Sequence, residues 1–382
     1  MFQTWLVANP WDLVEEDLDG TLDLMRGHFG VSGIAVWAVG PPTLQLRVRT
    51  EPPQLFRSDG GAHFQPETFH YTSSRCKPPT AEWIRSRNPL EKIVAGCADR
   101  DLRCRIMVSV SHAGRTAERH PAFATKNALG LESRHAICPL NPDVQAWLLG
   151  LMSDLSTNYE PDAVVLSDLV CSWPDVSEVG MASCGSRLAL LEHLLATCMC
   201  ESCRQGAAKA GVDVKAVERD LTGQINRATR GDTGGRSPKE EPQTHPEIFA
   251  SYLAWQSDAL VGLVRELCRT ATCEILLLDD RRDGARPSWG SEIAADGPRI
   301  IRRQVDDLEV LKEQTNMVAR EEVRIVLTDE LLREGSSLVH DVTSLAERGY
   351  AGVMLDHFGA IPQERDSAVR QAVRFARRTT DS

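Results

Sequence analysis

The chain has 382 residues, 42% hydrophobic and 25% charged, enough apolar content for a sizeable core in either two ordinary domains or one large α/β barrel. Its formal net charge of -11 argues against a nucleic-acid partner, because phosphate-backbone binding needs clustered Lys and Arg to release counterions. Residues 1–10 lack a basic leader with a long apolar core, and no later run reaches the roughly 18 apolar residues of a membrane span. A cytoplasmic protein without membrane contact is therefore expected.

Short apolar, β-rich runs alternate with long helical patterns, the signature of a parallel sheet with helical crossovers. In chain order the predicted strands are Thr4–Ala8, Gly33–Val39, Arg103–Ser109, Asp162–Ser167, Glu274–Asp279, Pro298–Arg302, Val323–Thr328 and Gly352–Leu355. Apolar residues at helical spacing predict helices over Val144–Tyr159, Ser186–Thr197, Asp213–Arg227, Phe249–Arg269 and Val339–Arg348. Eight such strands predict an α/β fold closed into a (β/α)8 TIM barrel, one domain spanning residues 1–382. An open doubly wound sheet is the alternative, weakened because no glycine-rich phosphate loop follows the first strand.

Two insertions interrupt the alternation. Pro41–Pro79, rich in proline and carrying Phe56, Phe64, Phe69 and Tyr71, follows the second strand, where a barrel would lay it over its active face. Residues 170–244 follow the fourth strand and hold a cysteine cluster, then Thr229–Thr244, rich in Gly, Pro and charge and expected to be a mobile loop.

Eleven cysteines without a leader read as thiols and metal ligands rather than a disulfide framework. Cys76, Cys97, Cys104, Cys268 and Cys273 read as small buried hydrophobes. Cys198, Cys200 and Cys203 form C-x-C-x2-C, three thiols within six residues, which converge on one soft cation or else form a redox-active cluster. Zinc asks for a fourth ligand, and Cys138, His135, His193, Cys171 and Cys184 are all open to it.

Catalytic groups of barrels sit at the C-terminal ends of strands, which singles out Asn9, Trp37, His112, Asp168, Asp279, Asp280, Asp329, Glu330, Asp356 and His357. Glycosidic cleavage needs two carboxyl groups, one to protonate the leaving oxygen and one to attack or to activate water. Asp168 ends an apolar strand with no evident helix start behind it and leads that set, with Glu330, Asp356 and Asp280 as partners. Thr328-Asp329-Glu330 also reads as a helix cap with an acidic first turn, and Asp279 to Asp283 as a self-neutralising surface turn. Asn9, Trp37, His112 and His357 are the candidate substrate-binding residues. Trp5, Trp173 and Trp289 offer further flat faces for sugar rings unless they lie in the core.

The run Arg134-His135-x2-Cys138-Pro139-x-Asn141-Pro142, a following helix, Tyr159-Glu160-Pro161-Asp162 and then C-x-C-x2-C resembles the middle of family 42 β-galactosidases, barrel glycoside hydrolases. In that family an upstream cysteine joins the C-x-C-x2-C module to hold a zinc. The resemblance therefore implies Cys138, Cys198, Cys200 and Cys203 as ligands of a structural zinc. Gly60 to Pro66 and Gly349 to Val353 extend a more diffuse likeness to bacterial glycoside-hydrolase-like proteins of unassigned activity. One departure stands out. The family ends its fourth strand with an Asn-Glu pair whose Glu is the acid/base, whereas this chain reads Leu166-Ser167-Asp168-Leu169. The expectation is a carbohydrate-active hydrolase of a small soluble glycoside or sugar-containing metabolite, with a non-hydrolytic tailoring enzyme (epimerase or lyase) or a noncatalytic sugar-binding protein as alternatives. A homo-oligomer is left open.

Overall fold

The computed structural model describes residues 2–174, 188–230, 247–279, 299–303, 322–327, 331–332 and 335–381. Its central sheet is built from β1 (Gln3–Ala8), β2 (Gly33–Gly40), β3 (Arg103–Ser109), β4 (Ala163–Ser167), β5 (Glu274–Asp279), β6 (Arg299–Arg303), β7 (Glu322–Val326) and β8 (Gly352–Asp356). These strands run parallel, and β1 pairs with both β8 and β2, so the sheet curls back on itself. A short antiparallel strand, Gly61–Ala62, adds to the end of β2. This is a mostly parallel, curled α/β sheet with a TIM-barrel-like arrangement.

The strand residues explain the curl. Trp5, Val7, Ala35, Met107, Ala163, Val165, Leu276, Leu278, Ile301 and Met354 form one buried cluster, and within each strand they fall at alternate positions. Their neighbours, among them Leu6, Ile34, Val36, Ile106, Val108, Val164, Leu166, Val353 and Leu355, belong to a second cluster shared with the surrounding helices. Burial on both faces is why β1, β2 and β4 read as near-continuous apolar runs. Inside the ring, Arg105 of β3 and Glu322 of β7 form a fully buried bidentate pair at 2.5 and 2.7 Å. The Arg105 guanidinium lies 3.5 Å from the centre of the Trp5 ring, so the interior charge is both paired and stacked.

The helices take the predicted places with shifted ends. Pro142–Asn158 starts at Asn141, whose side chain accepts the amides of Asp143 and Val144. Leu188–Ala196, Glu201–Lys209, Val214–Arg230, Glu247–Thr270 and Gly335–Glu347 follow. Within the predicted insertion after β2, Thr43–Arg47 and Gln54–Ser58 form an antiparallel hairpin. Thr229 and Arg230 end the helix Val214–Arg230, and the remainder of the predicted loop to Thr244 lies outside the described residues.

Candidate functional site

Parallel pairing puts the ends of β1, β3, β4 and β8 at one end of the sheet. At the end of β4 the backbone of Asp168 turns through the left-handed region, φ +48. This turn brings its carboxylate onto the loop after β3. Asp168 Oδ2 accepts the Ser109 hydroxyl at 3.1 Å, the Ser111 amide at 3.0 Å and the His112 amide at 2.6 Å. The His112 ring, half exposed, has its Nδ1 3.7 Å from the same oxygen. The two sequence candidates are thus one unit: the acid of β4 shapes the loop that carries the imidazole of β3.

A second unit lies four places around the ring, where β7, β8 and β1 are neighbours. Asp356 pairs with the Arg324 guanidinium of β7, both largely buried. The next residue, His357, turns the other way and brings Nδ1 within 3.9 Å of Asp12 Oδ2. Asp12 sits in the short helix Pro10–Val14 after β1 and is held by Gln45 of the hairpin, whose Nε2 donates to Asp12 Oδ1 at 2.9 Å. Gln45 Oε1 in turn accepts Asn9 Nδ2 at 2.9 Å and Trp11 Nε1 at 2.6 Å. Burial pushes the Asp12 carboxyl above its ordinary range, and His357, Gln45 and Arg47 pull against that shift. Arg47 also bonds Glu16 at 3.2 Å, so the hairpin delivers a cation beside the buried acid.

The aromatic candidates divide. Trp37 is partly buried against the inner cluster and lies within β2, three residues before its end, rather than at the strand end. Trp5 and Trp173 are fully buried and serve the core, which removes them as stacking platforms. Asp280, Asp329, Glu330 and Trp289 lie outside the described residues, as does Cys184.

The cysteines converge. Cys138 follows the strand Glu132–Ile137 of a small hairpin, its amide bonded to the Phe123 carbonyl at 2.7 Å. Cys200 is the N-cap of Glu201–Lys209 and Cys203 lies in its first turn, so the C-x2-C spacing places both sulfurs at one helix end. The Sγ atoms of Cys138, Cys198, Cys200 and Cys203 lie within 4.8 Å of one another, all four residues buried. Cys138 and Cys203 are 3.5 Å apart. A tetrahedral zinc with bonds of about 2.3 Å needs sulfurs roughly 3.8 Å apart, so the donor set fits. The electrostatics fit as well. Hydrogen bonds from the other three thiols hold Cys200 far below the ordinary thiol range, while burial pushes Cys198 up. A dication is what offsets the cost of ionising the remainder. The peptide carbonyl of Cys198 is fixed by the Tyr252 hydroxyl at 2.8 Å and Gln256 Nε2 at 3.0 Å. The cluster joins the loop after β3 to the segment after β4, the same two that carry His112 and Asp168.

No sequence-family model matches the chain, and no curated protein matches it in sequence. Solved structures do match. A β-galactosidase from the psychrophilic Marinomonas ef1 aligns with 98% of this chain and 59% of its own, at 10% identity and a TM-score of 0.53. An α-L-fucosidase isoenzyme 2 from Paenibacillus thiaminolyticus aligns with 98% of this chain and 49% of its own, at 11% identity and a TM-score of 0.50. The likeness is one of fold, a glycoside-hydrolase-like one. This chain spans about half to three-fifths of the length of those structures.

Asp12, Gln45, Arg47 and Arg324 were not singled out by the sequence. Gln45 and Arg47 carried a usable signal: Leu44-Gln45-Leu46-Arg47 alternates with period two, but the polar residues face inward and Leu44 and Leu46 face solvent, the reverse of the usual strand. Among the described residues, no helix is long and apolar enough to cross a membrane.

Proposed function

We propose that this chain is a glycoside-hydrolase-like, carbohydrate-active enzyme acting on a small soluble glycoside or a sugar-containing metabolite, with a structural zinc on Cys138, Cys198, Cys200 and Cys203. The observation that carries the reading is the gathering of Asp168, His112, Asp356, His357 and Asn9 at the C-terminal ends of parallel strands, the position where barrel enzymes assemble their sites. The fold likeness to a galactosidase and a fucosidase supports the substrate class. Asp168 is the acid/base. Its partner carboxylate comes from Asp356, Asp280 or Glu330. The sheet is taken as a full (β/α)8 barrel, one domain over residues 1–382, with insertions after the second and fourth strands. Four thiolates leave zinc no open position, so the metal holds loops and takes no part in bond cleavage.

A second reading draws on the engagement of both described carboxylates, Asp168 with three donors and Asp356 with Arg324. Groups so occupied suit a tailoring enzyme, an epimerase or lyase, or a sugar-binding protein, better than in-line hydrolysis. A panel of aryl glycosides separates the readings. Turnover of any member that falls by about 10²-fold in Asp168→Asn supports hydrolysis. Binding of sugars without release of the aryl group supports the second.

A further inference from the structure

His357 and Asp12 share a feature that neither the metal site nor a two-carboxylate mechanism uses. Asp12 Oδ2 and His357 Nδ1 are both buried, neither has a hydrogen-bond partner among the described residues, and they lie 3.9 Å apart. That gap is about 1 Å longer than a hydrogen bond and is closed by a small rotation of either side chain. Unpaired buried polar atoms are costly, and a carboxylate oxygen facing an imidazole nitrogen calls for an explanation. The His357 side chain is 28% exposed although its Nδ1 is buried, so other atoms of the side chain reach solvent.

The surroundings fix the acid. Asp12 Oδ1 takes the Gln45 amide N–H, and Gln45 cannot turn over because its oxygen is occupied by Asn9 and Trp11. Gly359 closes the site from the loop after β8: a Cβ there would lie 2.3 Å from Asp12 Oδ2 and from Gln45 Nε2. Charged groups near the pair among the described residues include Arg47, itself bonded to Glu16, on the hairpin side, and Asp356, held by Arg324, on the β8 side.

We propose that Asp12 and His357 form an acid–imidazole dyad, in which His357 Nε2 exchanges a proton with a hydroxyl of the sugar substrate and Asp12 is the residue that positions it. The proposal rests on the carbohydrate reading above for its substrate. With Nδ1–H aimed at Asp12, Nε2 is the acceptor. The substrate O–H bond breaks, an Nε2–H bond forms, the electron pair stays on the sugar oxygen, and Asp12 compensates the imidazolium. The return of the proton completes the exchange, so no further reactant is needed.

The test is the ring tautomer, read from the ¹⁵N chemical shifts of the labelled full-length protein, with the His357 signals assigned by their loss in His357→Gln. Wild-type protein at pH 8 is expected to hold His357 as the Nδ1–H form. In Asp12→Asn the Gln45 N–H selects the amide oxygen for the Oδ1 position and turns the NH2 toward His357, so the ring is expected to switch to the Nε2–H form. A wild-type Nε2–H ring, or a tautomer unchanged in Asp12→Asn, overturns the dyad. The wild-type reading stands even if the variant does not fold. Because no sugar is present, a protein that passes this test and binds no carbohydrate contradicts the substrate reading alone.

Discussion

Asp168 accepts the backbone amide of His112 at 2.6 Å, so the acid that ends β4 holds in place the loop that carries the imidazole after β3. The Asp168→Asn and Asp168→Ala variants therefore separate two roles. Asn tolerates the left-handed backbone at this position and retains an acceptor. Asp168→Asn is expected to unfold in urea close to the wild-type midpoint while turnover falls by about 10²-fold. Asp168→Ala strands three donors and is expected to lose about 1–3 kcal/mol as well. Equal loss of stability in both variants would mean that the carboxylate is only a loop anchor.

The metal should be measurable directly. Purified protein is expected to contain about one zinc per chain by elemental analysis, and Cys200→Ser to lower both zinc content and melting temperature. Cys138→Ser tests the ligand contributed by the loop after β3. Metal-free protein with an unchanged melting temperature would leave the cluster as buried thiols.

The pair inside the ring gives a stability prediction independent of function. Glu322→Gln removes the carboxylate charge that pairs with the buried Arg105 guanidinium, and about 3–5 kcal/mol of unfolding free energy is expected to be lost. Replacing both partners, Arg105→Met with Glu322→Leu, is expected to recover most of it. A loss below about 1 kcal/mol in the single variant would show that water reaches the interior.

His63 sets an acid limit. Burial depresses its pKa from 6.5 to about 3, and its Nδ1 accepts the Trp83 indole N–H at 3.1 Å. Between pH 6.5 and about 3 the unfolded chain binds a proton there that the folded chain does not. Stability therefore declines as pH falls through that window, by about 1.4 kcal/mol per unit from this one residue. Melting temperature against pH should fall more steeply in the wild type than in His63→Gln. Parallel curves would show that His63 is protonated in the folded protein.

Much of the architecture could be read from the chain because strands such as Ala163–Ser167 bury both faces, which leaves continuous apolar runs that end in polar residues. Strand ends moved little: the predicted Gly33–Val39 is Gly33–Gly40, and the predicted Gly352–Leu355 runs on to Asp356. The cysteine spacing was legible for a local reason, since three of the four sulfurs lie within six residues. What the chain hid is non-local. Arg105 and Glu322 are 217 residues apart, Gln45 and Asp12 are 33 apart, and Arg324 meets Asp356 across strands. No periodicity encodes such pairings. The Asp168 carboxylate was visible as a strand-end acid, but its three donors depend on a left-handed turn that a single Asp does not announce.

The central claim is that the strand ends carrying Asp168, His112, Asp356 and His357 bind a sugar, and the crystal structure of a complex with deoxynojirimycin tests it most directly. The imino-sugar ring is expected at that end of the sheet, within hydrogen-bond distance of Asp168 or His357. A ring bound elsewhere on the protein, or none at millimolar concentration, would contradict the carbohydrate reading.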